Sequence, residues 1–312
     1  MRVKLPPSEV DALLEASTVV ALPDELLQHI LKQEWNVLNP RAAVAFSSAS
    51  HGLWAATQAL LQHLKADHEG AAALCRKLGM RSCKELREAK EVDCWYHRGL
   101  TAIELGLLLT LGSVLPALET LALYEPTADP DAVQRLAEGL GAGALPAVTW
   151  LQIRLQMGDT GAWALAGALG QCAMPRLKQL HLSHSAIGDS GLVALAPAFQ
   201  RLPALKALGL QANPLGDEGL AALVAPTPPV GALPPPPPTG VLTNLERLYL
   251  SYTQIADAGC AALTAALESG ALPALERPYL RDILASDAAL AAVYEVLHKR
   301  AHGESDSESE PE

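Results

Sequence analysis

The string Gly188-Asp189-Ser190-Gly191 places a serine hydroxyl beside a carboxylate and between glycines, a composition that could serve nucleophilic chemistry. It has three siblings: Met157-Gly158-Asp159-Thr160-Gly161, Leu215-Gly216-Asp217-Glu218-Gly219 and Ile255-Ala256-Asp257-Ala258-Gly259. Where one string has serine, the others have Thr, Glu and Ala, and a nucleophile is not interchangeable in that way. The aspartates follow one another at 30, 28 and 40 residues, so the strings mark a repeated supersecondary unit and not an active site. No GxxxxGK[ST] loop or HExxH pair occurs, and Gly139-Leu140-Gly141-Ala142-Gly143 ends an apolar helical segment instead of opening one, which argues against a phosphate cradle. His181 and His184 have no Cys or carboxylate in register, which argues against a metal. The expectation is a chain with no catalytic residues, cofactor or metal.

The elements that carry these strings lie just upstream of each. An LxxLxL frame begins at Leu118, Val148, Leu177, Leu205, Leu245 and, in degraded form, Leu275, and one further step back recovers Ala89-Lys90-Glu91-Val92-Asp93-Cys94. Seven units result, their starts separated by 29, 30, 29, 28, 40 and 30 residues. The alternation in Leu180-His181-Leu182-Ser183 is the period of a strand with one buried face. Asp189, Asp217 and Asp257 open apolar-periodic segments, where a side-chain acceptor is expected to cap free helix N–H groups at about 1 kcal/mol each. Gly residues or Leu-Pro pairs such as Leu202-Pro203 and Leu272-Pro273 end the helices. Pro278 cannot donate to a ladder, which predicts an edge strand there.

This frame, followed by the Asp-containing string and an Ala/Leu helix, resembles the leucine-rich repeat of the ribonuclease-inhibitor type over residues 86–297. The resemblance implies an α/β solenoid, a horseshoe with parallel strands on the concave side and helices on the convex side. One departure is plain: the asparagine expected after the strand occurs only as Asn213, with Gln156, Ser185 and Thr253 at the equivalent positions, so an uneven internal ladder is expected. Between the inward leucines, alternate positions face the concave surface. They include Trp95, Tyr124, Trp150, Arg154, His181, Arg247, Tyr249, Tyr279 and Arg281. In a chain with only 5 Trp, 6 Tyr and 2 Phe, this concentration of aromatics and arginines has the composition of a protein-binding hot spot.

The amino-terminal segment has another character. Leu22-Pro23-Asp24-Glu25-Leu26-Leu27-Gln28-His29-Ile30-Leu31, then Asn39-Pro40 and an apolar stretch closing on Trp54, resembles the F-box. That family docks on the Skp-type adaptor of a cullin ubiquitin ligase, so the resemblance implies adaptor binding through Leu22, Pro23, Leu26, Leu27, Ile30 and Leu31. A helical cap over the first repeat is the other reading of the same segment. The 40-residue step contains a Pro-rich loop, 226–240, whose Leu233 and Pro234–Pro238 resemble ligands of profilin-like or EVH1 domains, a proline-recognition partner at 233–238; a tolerated low-complexity loop is the alternative. The tail places acids three residues after Ser305, Ser307 and Ser309 and resembles an acidophilic kinase target.

The expected organisation is an extension (1–18), the F-box-like segment (19–60), connecting helices (61–85), the repeats (86–297) and a disordered acidic tail (298–312). The net charge of −11 argues against nucleic acid. No run approaches a membrane span, and the longest apolar tract, Leu107–Leu118, is interrupted by Thr110, Gly112, Ser113 and Pro116. The 5 cysteines lack a CxxC pairing and fit a reducing compartment, so a cytoplasmic protein is expected. Together these features predict a non-catalytic substrate-recognition subunit of a cullin-type ubiquitin ligase. The alternatives are a cytoskeletal or ciliary repeat scaffold and a GTPase regulator of the Ran-activating type.

Overall fold

The computed structural model describes residues 37, 39–48, 51–94, 100–112, 115–125, 130–143, 145–170, 174–225 and 242–302. They belong to two compact units, residues 1–88 and 89–312. The F-box-like stretch 22–31, Trp95, the Pro-rich loop 226–240 and the tail serines lie outside the described residues.

The first unit contains helices α1 (Arg41–Ser48), α2 (His51–Lys77) and α3 (Cys83–Glu88). The single helix α2 runs through the boundary expected at 60/61. It buries Leu64, Ala71, Leu74 and Cys75 at helical spacing, and α3 adds Cys83 and Leu86. Beyond α2, Gly79 at φ 74° closes the helix. The Met80 N–H donates to Cys75 O at 2.8 Å and that of Gly79 to Arg76 O at 3.1 Å, a Schellman end that only a residue free to adopt positive φ completes cheaply. Burial, with the Cys83 sulfur 3.9 Å away, pushes the Cys75 thiol up to about 12, so the thiol stays protonated and unreactive at neutral pH.

In the second unit the strands form one parallel sheet in sequence order: β1 (Glu91–Asp93), β2 (Thr120–Glu125), β3 (Trp150–Leu155), β4 (Gln179–His181), β5 (Ala207–Gly209), β6 (Arg247–Tyr249) and β7 (Arg277–Tyr279). A helix follows each strand: α4 (Ala102–Gly112), α5 (Pro130–Gly141), α6 (Gly158–Leu169), α7 (Asp189–Phe199), α8 (Asp217–Val224), α9 (Asp257–Glu268) and α10 (Asp287–His302). This is an α/β solenoid. The frame leucines explain it, since Leu121, Leu151, Leu180, Leu208 and Leu248 lie in one register row and are fully buried between sheet and helices. α10 runs past residue 297, where a tail had been expected, because Lys299, Arg300 and His302 favour the negative end of a helix in its last turn.

The aspartates of the repeated strings act differently from the expectation. None caps its own helix; each reaches the helix start of the next repeat. The Gly188 N–H donates to Asp159 Oδ1 at 2.7 Å. Gly216 and Gly219 N–H donate to Asp189 Oδ1 at 2.6 and 2.9 Å. Ala256 and Gly259 N–H both donate to Asp217 Oδ1 at 2.8 Å, and Ser286 N–H donates to Asp257 Oδ1 at 2.6 Å. The serine of the protease-like string is part of the same system: Ser190 Oγ donates to Asp159 Oδ2 at 2.6 Å. The glycine that ends each of the last three strings now has a reason. A Cβ on Gly191, Gly219 or Gly259 would lie 2.5, 2.7 or 2.5 Å from the incoming aspartate oxygen, closer than atoms can approach.

Asn213 serves the interior. Ser185 and Ile187 N–H donate to its Oδ1 at 2.9 and 3.1 Å, and its Nδ2 donates to Leu182 O and Leu210 O at 2.7 and 2.9 Å. Thr253 makes one such bond, to Leu250 O at 2.7 Å, so the internal ladder is uneven. At β7, Arg277 N–H donates to Glu246 O; Pro278, one residue on, turns its nitrogen toward the free edge, where no donor is needed.

Replacing Asp217 with Ala removes two charge-assisted bonds and should lower stability by about 2–3 kcal/mol. Gly259→Ala should cost a comparable amount by displacing the same carboxylate. In urea unfolding the double variant should fall short of the sum by at least about 1 kcal/mol, since both changes break one junction; strict additivity would refute the shared-junction account.

Candidate functional site

The side chains between the buried leucines stand on the face of the sheet turned away from the helices. The strand register sorts them into rows. Glu91, Thr120, Trp150, Gln179, Ala207, Arg247 and Arg277 are consecutive partners in the first row, and Asp93, Ala122, Gln152, His181, Gly209, Tyr249 and Tyr279 in the second. Tyr124 and Arg154 pair in a third, with the Arg154 guanidinium 5.5 Å from the Tyr124 ring centre. Arg281 follows β7 and is exposed, with its Nε 3.1 Å from Asp282 Oδ2. Of the residues singled out in the sequence, Tyr124, Trp150, Arg154, His181, Arg247, Tyr249 and Tyr279 lie in these rows, and Arg281 lies just beyond them.

Four of them form a continuous line of rings. Trp150 and His181 have ring centres 5.6 Å apart, His181 and Tyr249 5.7 Å, and Tyr249 and Tyr279 4.4 Å in a near-parallel stack at 5°. The middle contact skips a strand, for His181 is on β4 and Tyr249 on β6. Adjacent strands are about 4.8 Å apart, so rings two strands apart meet only by leaning over the strand between them. Gly209 on β5 makes room: a Cβ there would lie 2.4 Å from His181 Nδ1. The leaning His181 ring lies against Gly209, and both Ala207 and Gly209 on β5 are buried. Gly209 had no assigned role in the sequence. A lone glycine in a row whose other members carry side chains was the available sign of close approach.

The face is also polarised. At the β1 end Glu91 and Asp93, with Thr120, Gln152 and Trp150, line an open depression of about 530 Å³. At the other end stand Arg247, Arg277 and Arg281. Burial, then the nearby Arg247, lowers the pKa of His181, so the bridging ring is neutral at pH 7 and stacks as an uncharged aromatic. His184 is lowered too, by burial and Arg154. Among the described residues no cluster of His, Cys, Asp or Glu could hold a metal ion, and no helix is long and apolar enough to cross a membrane.

The family model described as "Leucine Rich repeat" matches residues 174–196, 202–224 and 241–263, each a strand with the helix that follows it. The chain carries leucine-rich repeats. No curated protein matches the sequence. Among solved structures, the tropomodulin C-terminal domain from Caenorhabditis elegans is similar at 20% identity and a TM-score of 0.35, covering 46% of this chain and 78% of that chain; at that level the likeness carries no functional argument. Leucine-rich repeats are protein-binding scaffolds and typically non-catalytic.

The lowered pKa of His181 fixes a sign. Above its unfolded value of about 6.5 the residue is neutral in both states and pH does not matter. As the pH falls below that value the unfolded chain takes up the proton first, and stability declines. His181→Gln should therefore lose less stability than the wild type between about pH 7 and pH 5 in urea titrations. Equal losses would show that this ring is not desolvated in the leucine-rich-repeat sheet.

Proposed function

We propose that the chain is a non-catalytic receptor whose leucine-rich repeats, of the ribonuclease-inhibitor type, hold a protein partner on the open face of the sheet. The observation that carries this reading is the line Trp150, His181, Tyr249 and Tyr279. Large rings at a surface in a chain with so few aromatics are the residues that dominate interface energetics, and their mutual stacking fixes their rotamers before a partner arrives. The repeat step of 28–30 residues with a full helix in each unit supports the ribonuclease-inhibitor type.

The more specific reading is a cytoplasmic substrate-recognition subunit of a cullin-type ubiquitin ligase. Its support is the F-box-like segment within residues 19–60, with Leu22, Pro23, Leu26, Leu27, Ile30 and Leu31 as the surface for a Skp-type adaptor. Residues 233–238 would offer a further contact to a proline-recognition domain.

Two measurements separate the layers of this proposal. Trp150→Ala and Tyr249→Ala should each abolish partner capture while lowering the unfolding free energy by no more than about 2–3 kcal/mol, the loss of one ring's stacking contacts; capture retained by both variants would remove the open face from the account. Pull-down with a Skp-type adaptor should succeed for the wild type and fail for Leu27→Asp. A wild type that captures partners but not the adaptor leaves a repeat scaffold with no ligase role.

A further inference from the structure

Arg247 and Arg277 are direct cross-strand partners on β6 and β7. Neighbouring parallel strands lie about 4.8 Å apart, so this register sets two guanidinium-bearing side chains side by side on one face. Like charges directly opposite one another destabilise a sheet, and a carboxylate of the same protein would normally lie between them. None does so among the described residues, and neither guanidinium donates a hydrogen bond or joins an ion pair. Glu246, one residue upstream of Arg247, is held by Lys206 Nζ at 2.5 Å. Asp282 is engaged by Arg281, and Glu276 forms an ion pair with neither arginine. Two cations therefore sit in register without an ion pair or side-chain hydrogen bond among the described residues, Arg247 feeling the Glu246 carboxylate only through space, in a chain whose net charge is −11.

Beside them in the next row is the stacked pair Tyr249 and Tyr279, with Tyr279 38% exposed. Arginine presents a planar fork of donors suited to carboxylates, and an exposed ring supplies flat apolar area at little entropic cost. At the other end of the same face Glu91 and Asp93 would repel such a ligand, which orients it.

From this arrangement we infer that the β6–β7 end of the open face binds an extended acidic peptide segment of a partner protein. Two of its Asp or Glu carboxylates pair with Arg247 and Arg277, and its intervening side chains lie on Tyr249 and Tyr279. The inference rests on the open face being the partner-binding surface and adds the chemistry of the partner. An acidic segment supplies what the sheet lacks, the counter-charge between two neighbouring arginines.

The test is fluorescence anisotropy of the full chain with three labelled dodecapeptides, built of Glu-Glu-Pro, Gln-Gln-Pro and Lys-Lys-Pro repeats. The Glu probe should bind about five- to tenfold more tightly than the Gln probe, the scale of two exposed ion pairs, and the Lys probe should bind least. The preference should shrink with added salt and vanish in the Arg247→Ala, Arg277→Ala double variant. Equal binding of the Glu and Gln probes, or a preference that survives the double variant, overturns the inference. A full-chain variant with Glu304, Asp306, Glu308, Glu310 and Glu312 all changed to Gln is measured alongside. Glu-probe binding that appears only in that variant assigns the arginines to the chain's own tail and also overturns the inference. If the acidic preference is absent while Trp150→Ala still abolishes partner capture, the open face stands as the binding surface and only the acidic chemistry is lost.

Discussion

From β3 onward each repeat of this solenoid is fastened to the next by an aspartate that accepts hydrogen bonds from the free N–H groups at the start of the following helix. A helix N-terminus leaves its first donors without partners, and in this chain the neighbouring repeat supplies the acceptor. The carboxylate also stands at the positive end of the next helix dipole, which strengthens the bond. At three of these junctions the fastening has two parts, the aspartate in one repeat and a glycine without a Cβ in the next, whereas Asp257 meets Ser286 with no glycine beside it. The spacing of Asp189 and Gly191, Asp217 and Gly219, and Asp257 and Gly259 provides both in one short string. The strings at 187–191, 215–219 and 255–259 therefore each accept the aspartate behind them and offer their own to the helix ahead.

The same interaction explains why an insertion does not break the stack. The Pro-rich stretch lengthens one step from about 29 residues to 40. Yet Asp217 meets Ala256 and Gly259 N–H at 2.8 Å, within the range of the shorter steps. β5 and β6 pair in the register of their neighbours. Extra chain between two repeats adds only slowly growing loop entropy, whereas a lost junction would leave buried donors unpaired. The sheet stays in step because the contact is specified at both ends and the loop length between them is not.

Much of this was legible from spacing alone. Periodicity of leucine gave the strands, and Pro278 announced a free edge through its missing donor. The solitary Asn213 foretold an interior ladder complete at one repeat and thin elsewhere. The partner of each aspartate was not legible. A residue at a helix start has the same local pattern whether it caps its own helix or the next one, and only the stacking distance decides between them. The line of rings was half legible. Alternation put Trp150, His181, Tyr249 and Tyr279 on one face, but the contact between His181 and Tyr249 depends on how far side chains lean, which a register position does not state. The end of α10 was not legible from the repeat, whose frame reaches only to residue 297; the basic residues of the last turn favour the continuation to His302.

The two ends of the open face carry different costs, and the difference separates stability from function. Glu91 and Asp93 are side by side on one short edge strand, where water screens them. Arg247 and Arg277 lie across from one another beside a half-covered aromatic pair, and like charges directly opposed repel. The stack of Tyr249 on Tyr279 contributes about 0.5–1.5 kcal/mol, enough to offset a like-charge pair worth a few tenths to about 1 kcal/mol. Folding therefore tolerates the arginine pair without requiring it. Since leucine burial and the aspartate junctions hold the sheet without help from that end, the surface charge there is free to answer to a partner.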